Sequence, residues 1–275
     1  MSRVWFCATL LVSSVASGDG LLDEVYTHPL DAFTAQTLHA GEVLYAQPPF
    51  PVPGWAEVGI TDRVTIEIDM TPLIGGLFVD PHLPVPSENV RVQLFDGGRQ
   101  WPSVAVEVMG QYLWNLYDQE DLDHLLVRRK GLGGFAHVNA SVPIGEHSWI
   151  HASVGASYQH YYVVENVDRD TSHAGVFHDH VDPDASLSID WRVRRWISLH
   201  ATGSYGSTFV YSDNEPRKWQ LGYGMRIAPL LGSSWAVLRD LRLELVALVM
   251  DRPDAKEVVA LYVPILPYAY WQWRF

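Results

Sequence analysis

Over most of its length the chain alternates apolar and polar residues with a period of two. Val64, Ile66, Ile68 and Met70 are interleaved with Thr65, Glu67 and Asp69. Val104, Val106 and Val108 are interleaved with Ala105 and Glu107, and Leu187, Ile189 and Trp191 with Ser188, Asp190 and Arg192. The same rhythm runs through 90–94, 150–157, 197–202, 219–227 and 241–245. Side chains two apart share a face of a strand, so each segment reads as a strand with one apolar and one polar face. A weaker pair is read at 41–46 and 55–60. The pattern predicts an all-β chain of about twelve strands, with ten or fourteen also fitting.

The connections alternate in length. Residues 61–62, 96–100, 143–147 and 194–195 are short turns. Residues 47–54, 72–87, 116–130, 165–184, 212–216 and 251–257 are longer and polar or rich in Pro. Residues 229–240 fall in the turn series but are long, and a helical turn is read at 234–238. Short turns at one end and long loops at the other are expected of a closed, antiparallel, up-and-down transmembrane β-barrel. In that architecture the apolar faces meet lipid and the polar faces line a lumen. In a soluble sandwich the apolar faces would meet each other, and periodicity alone does not separate the two.

Composition sharpens the choice. The chain has 11 Trp, 13 Tyr and 9 Phe, with 48% hydrophobic residues overall. No apolar run reaches the eighteen or so residues of a spanning helix. Aromatics collect near predicted strand ends, among them Trp101, Tyr158, Trp196, Tyr205 and Trp219, as interfacial girdles would require. Arg3 followed by the apolar stretch 4–15 and the small residues Ala16, Ser17 and Gly18 reads as an export signal at 1–18. Residues 19–40 are then expected to be a periplasmic segment and 41–275 the barrel. Cys7, the single Cys, lies inside that signal, so no disulfide is expected. The net charge of −13 argues against nucleic acid as a partner, which needs a basic face.

The C-terminus carries the most specific motif. Ala269, Trp271, Trp273 and Phe275 occupy one face of a last strand that ends on Phe. Here the chain resembles the Gram-negative outer-membrane β-barrel superfamily, in which such a strand is the assembly signal. The resemblance covers the final strand closely and the body as a general pattern. It implies an outer-membrane location, outer-membrane lipid as surroundings and the barrel-assembly machinery as a partner during biogenesis.

Three sets of residues could carry chemistry. The expected lumen holds Glu67, Asp69, Glu107, Asp190 and Glu244 with Arg91, Arg192, Arg226, Arg242 and Arg274, and with His137, His151 and His200. Opposed charges of this kind either select small polar solutes in a narrow passage or pair and fill the barrel. Small lumen residues such as Ser153, Gly155, Gly222 and Gly224 favour a passage, so a passive channel or transporter is the leading expectation. A structural or binding barrel with acidic external loops is the alternative. The second set, His173, His178, His180 and Asp182, lies in an expected acidic loop and could ligate a metal, although its spacing matches no standard site. No resident cofactor is expected. The third set is His151, Ser153 and Asn166, whose arrangement is similar to that of outer-membrane phospholipases. Val154, Gly155 and Ala156 depart from the sequence that follows the serine in that family. No nucleophile elbow, metalloprotease helix or phosphate loop is present. Finally, residues 118–129 run from acidic to basic with Leu122, Leu125 and Leu126 on one side, and predict a short helix.

Overall fold

A computed structural model describes residues 33–47, 54–69, 87–98, 100–113, 126–144, 148–166, 176–194, 196–206, 219–250 and 265–274. Twelve strands follow one another: β1 (Glu42–Gln47), β2 (Trp55–Thr61), β3 (Val64–Asp69), β4 (Ser87–Phe95), β5 (Ser103–Leu113) and β6 (Leu126–Pro143). They continue as β7 (Trp149–Asn166), β8 (Val176–Arg194), β9 (Ile197–Tyr205), β10 (Gln220–Ile227), β11 (Leu241–Met250) and β12 (Ile265–Arg274). Each pairs antiparallel with its chain neighbours, and β1 closes on β12 from Glu42↔Arg274 to Gln47↔Ala269. The sheet is a closed barrel without a free edge, which removes the hazard of unpaired backbone donors.

Even strand number and closure together put both ends of the barrel, Glu42 and Arg274, at one rim. The connections between β2 and β3, β4 and β5, β6 and β7, and β8 and β9 share that rim and are short. The connection between β10 and β11 carries the one-turn helix α1 (Ala236–Arg239). Trp271 Nε1 on β12 donates to the carbonyl of Val237 at 3.1 Å, which holds this turn against the outer wall.

Three strands differ from the expected lengths. β6, β7 and β8 have 18, 18 and 19 residues. Residues 126–129, expected in a helix, are the start of β6 and pair with 163–166. Residues 176–184, expected in a long loop, form the first half of β8. Ladder pairing with β7 overrides the local acidic and leucine spacing, since strand preference is set by cross-strand neighbours more than by intrinsic propensity. The rest of the expected helix lies outside the described residues.

The distribution of apolar surface is inverted relative to a soluble fold. Val154 and Leu187 on the outer face are each 60% exposed, and Leu199, Leu221 and Met225 are also exposed. On the inner face Glu244 and Asn139 are fully buried, and Glu107, His151 and Arg226 are 1% exposed. The period of two therefore sorts apolar residues outward and polar residues inward.

Candidate functional site: the occupied lumen

The interior charges form two groups on opposite walls. On the β2–β6 wall, Arg91 lies between Glu107 at 3.0 Å and Glu57 at 3.6 Å. Asn89 and Asn139 each donate to Glu107, one to each carboxylate oxygen, both at 2.5 Å. Asn89 also reaches Glu67 at 3.3 Å. On the β8–β11 wall, Arg226 lies between Glu244 at 3.1 Å and Asp190 at 3.5 Å, and His200 Nε2 is 3.5 Å from Glu244. Buried charges persist only when paired, and in both groups a guanidinium lies between two carboxylates.

Several contacts skip a strand, and small residues make this feasible. His137 on β6 reaches Asp184 on β8 at 3.4 Å by lying across Gly155 of β7. A Cβ at Gly155 would fall 2.1 Å from the His137 ring. His200 on β9 reaches Glu244 on β11 across Gly224 of β10, where a Cβ would fall 2.6 Å from Nε2. The glycines leave room, and an imidazole fills each gap.

The lumen also holds a piece of the chain itself. Residues 33–38, ahead of β1, lie inside the barrel, while His39 and Ala40 are exposed. Thr34 and Ala35 are completely buried. Asn139 Nδ2 donates to the carbonyl of Thr34 at 3.2 Å. Gln93 Nε2 donates to that of Ala35 at 3.3 Å, and Arg91 Nη1 to that of Gln36 at 3.2 Å. The Ala35 amide donates to Ser141 Oγ and the Leu38 amide to Thr65 Oγ1, both at 2.8 Å. Thr34 Oγ1 lies 3.0 Å from Ser141 Oγ and 3.2 Å from His151 Nδ1. Leu38 packs with Leu44, Ala46 and Trp55, and Phe33 sits edge-on to Phe135 and His137. This strap crosses from β7 to β3.

Of the residues expected in the lumen, Arg91, Glu107, His137, His151, Asp190, His200, Arg226, Arg242 and Glu244 have buried side chains, and Glu67 and Arg192 are half-buried. Asp69 and Arg274 belong to β3 and β12, but their side chains lie outside the described residues. The interior is more acidic than the balanced set read from sequence, because Glu42, Glu57 and Asp184 are also buried. Alternation with Val43, with Val58 and with Ala185 was the available signal for these three.

The other candidate sets stand apart. His151 and Ser153 both face inward, and His151 Nδ1 lies 2.8 Å from Ser141 Oγ, while Ser153 Oγ has no hydrogen-bond partner among the described residues. His151 and Ser153 are therefore not hydrogen-bonded to each other, and both face inward. Asn166 ends β7. His173 lies outside the described residues, as do the side chains of His178 and His180, whose backbones belong to β8. Asp182 is half-buried. Among the described residues no group of three potential metal ligands occurs. In the C-terminal motif, Ala269 and Trp271 are half-buried, Trp271 stacks on Tyr45, and Phe275 lies outside the described residues.

One polar cluster lies on the outer wall. Asp179 Oδ1 accepts from Tyr158 Oη and lies against His160 Nδ1, both at 2.7 Å. The hydrogen bond to His160, and then that from Tyr158, holds the Asp179 carboxyl below its ordinary value.

No known protein family matches this chain, and no curated protein or solved structure shows significant similarity to it.

Proposed function

We propose that the protein spans an outer membrane as a narrow passive channel for small polar solutes, closed at rest by residues 33–40. The observation that carries the membrane reading is the inverted surface: exposed Val154, Leu187, Leu199, Leu221 and Met225 outside, buried charges inside. Exposing that outer face to water would be unfavourable by about 25 cal/mol per Å² of apolar area. In a bilayer it costs nothing, and a closed barrel satisfies its backbone there. Trp191 and Trp196 near the turn rim, and Tyr158 and Tyr205 toward the loop end, are exposed where interfacial girdles belong. Residues 1–18 would direct export, and Ala269, Trp271, Trp273 and Phe275 would be read by the assembly machinery.

The channel reading rests on what holds the strap. Amide, hydroxyl and guanidinium groups contact its backbone, and each can exchange its bond for one to water when the strap leaves. A lumen lined this way stays wettable.

Conductance in planar bilayers tests the proposal. The full chain should show rare, small openings, and a chain lacking 33–40 should conduct steadily. A folded barrel without current in either form would sink the channel reading. It would favour the structural or binding barrel instead, for which the self-paired interior charges are the supporting observation.

A further inference from the structure

Most of the strap's polar contacts with the wall are made by its main chain. Three successive carbonyls, of Thr34, Ala35 and Gln36, accept from Asn139, Gln93 and Arg91 in turn. The amides of Ala35 and Leu38 donate to the hydroxyls of Ser141 and Thr65. Donors and acceptors come from β3, β4 and β6, all from side chains, so none is used up by the barrel's own ladder. The strap has no regular secondary structure, and its contacts move from β7 to β3 within residues 34–38. The backbone bends at Ala35, where the Gln36 amide donates to Thr34 Oγ1 at 3.1 Å.

The side chains of the strap contribute differently. Phe33 and Leu38 occupy apolar positions at either end. Ala35 is fully buried, whereas Gln36 and Thr37 are half-buried and Thr37 Oγ1 donates to the carbonyl of Asp62 at 2.8 Å.

We propose that Thr65, Arg91, Gln93, Asn139 and Ser141 form a binding site for a peptide main chain, which residues 33–38 occupy in cis and a short peptide can occupy in trans. Arg91 is suited to the part because Glu57 and Glu107 neutralise it, leaving a donor without an excess charge that would demand an acidic ligand. Main-chain recognition of this kind tolerates sequence and rejects backbones that lack an amide proton. The site's chemistry goes beyond conduction and does not depend on it.

Two experiments test the site. In the first, Gln36→Cys is introduced with Cys7→Ser, and thiol labelling of the folded full chain is followed while a capped octapeptide of the sequence of 33–40 is added. Labelling should rise as the added peptide displaces the strap. A peptide altered at the position of Ala40 should act alike, and one N-methylated at the positions of Ala35 and Leu38 should not. In the second, the chain lacking 33–40 is titrated with the same peptides carrying a fluorophore. Each N-methyl group should weaken binding by about tenfold, the worth of one well-made hydrogen bond. Equal binding of the methylated and unmethylated peptides would overturn the proposal. So would the absence of peptide binding by a shortened chain that folds. If the shortened chain does not fold, labelling of the full chain that no peptide changes is the overturning result. Neither readout uses current, so a barrel that never conducts leaves both outcomes interpretable.

Discussion

Gly155 and Gly224 each sit beneath an imidazole that spans to a carboxylate two strands away. At Gly155 an added Cβ would also lie 2.1 Å from the carbonyl oxygen of Ala136, a backbone atom that cannot rotate aside. Gly155→Ala should therefore destabilise the barrel by about 1–3 kcal/mol in denaturant unfolding. Gly110→Ala, where a Cβ meets nothing, should be neutral within about 0.5 kcal/mol. A larger loss is expected for Arg226→Leu, which leaves Asp190 and Glu244 buried beside each other without their shared guanidinium. Removing one partner from a buried charge group costs about 3–5 kcal/mol, readable by the same unfolding assay. On the outer wall, Asp179 has its carboxyl held below the ordinary 3.8. Its ionised form is favoured by folding, so its contribution is complete above the ordinary value and is lost as pH falls through the lowered one. His160→Ala should move the Asp179 midpoint up toward 3.8, as carboxyl carbon NMR would record. An unchanged midpoint would mean that His160 is not the cause.

At the scale of elements, β6, β7 and β8 are far longer than their neighbours. About ten residues of a tilted strand cross a bilayer. In the membrane reading, the excess of each strand stands beyond it on the loop side, where His160 and Asp179 meet. This extension is built from ladder pairs such as Tyr158↔Val181 and Gly155↔Asp184. Deleting residues 176–184 should therefore abolish the folded, heat-modifiable band on gels, because it removes half of β8 and not a dispensable loop. The length of these strands was hidden in the sequence for a physical reason. In the membrane reading, alternation is enforced where one face meets lipid and the other a lumen, and beyond that span the constraint lapses: Gly131, Tyr161 and Tyr162 follow no period of two in the sequence. Along 241–245 and 150–157 the period of two placed the start of the strand within one residue. The strap is an element of another kind. It pairs with no strand, so periodicity offers no signal for it, and its small polar residues read equally well as a linker.

For the whole molecule, the odd-to-even parity of a closed twelve-strand barrel leaves its two ends at one rim. In the membrane reading that rim is periplasmic. A thiol introduced by Asp96→Cys should then be silent to an impermeant reagent added to intact cells, whereas Asp179→Cys should react. The reverse pattern would invert the orientation. In either variant the background needs Cys7→Ser, since Cys7 is the chain's single cysteine.

The sequence by itself determined the strand period and the facing of most charged residues and bounded the strand number at ten to fourteen, because each of these follows from whether successive side chains meet an apolar or a polar environment. It also made Glu107, Arg226 and Glu244 legible as lumen residues. Only the tertiary structure decided which charges meet, since Arg91 and Glu57 lie on strands separated by β3, and His137 and Asp184 on strands separated by β7. The register of successive hairpins brings such positions together, and no local pattern records it. Closure of the sheet creates an interior that residues 33–38 enter. Whether a short polar segment lies beside a barrel or within it depends on donors arriving from β3, β4 and β6 at once, and these converge only when the sheet is shut.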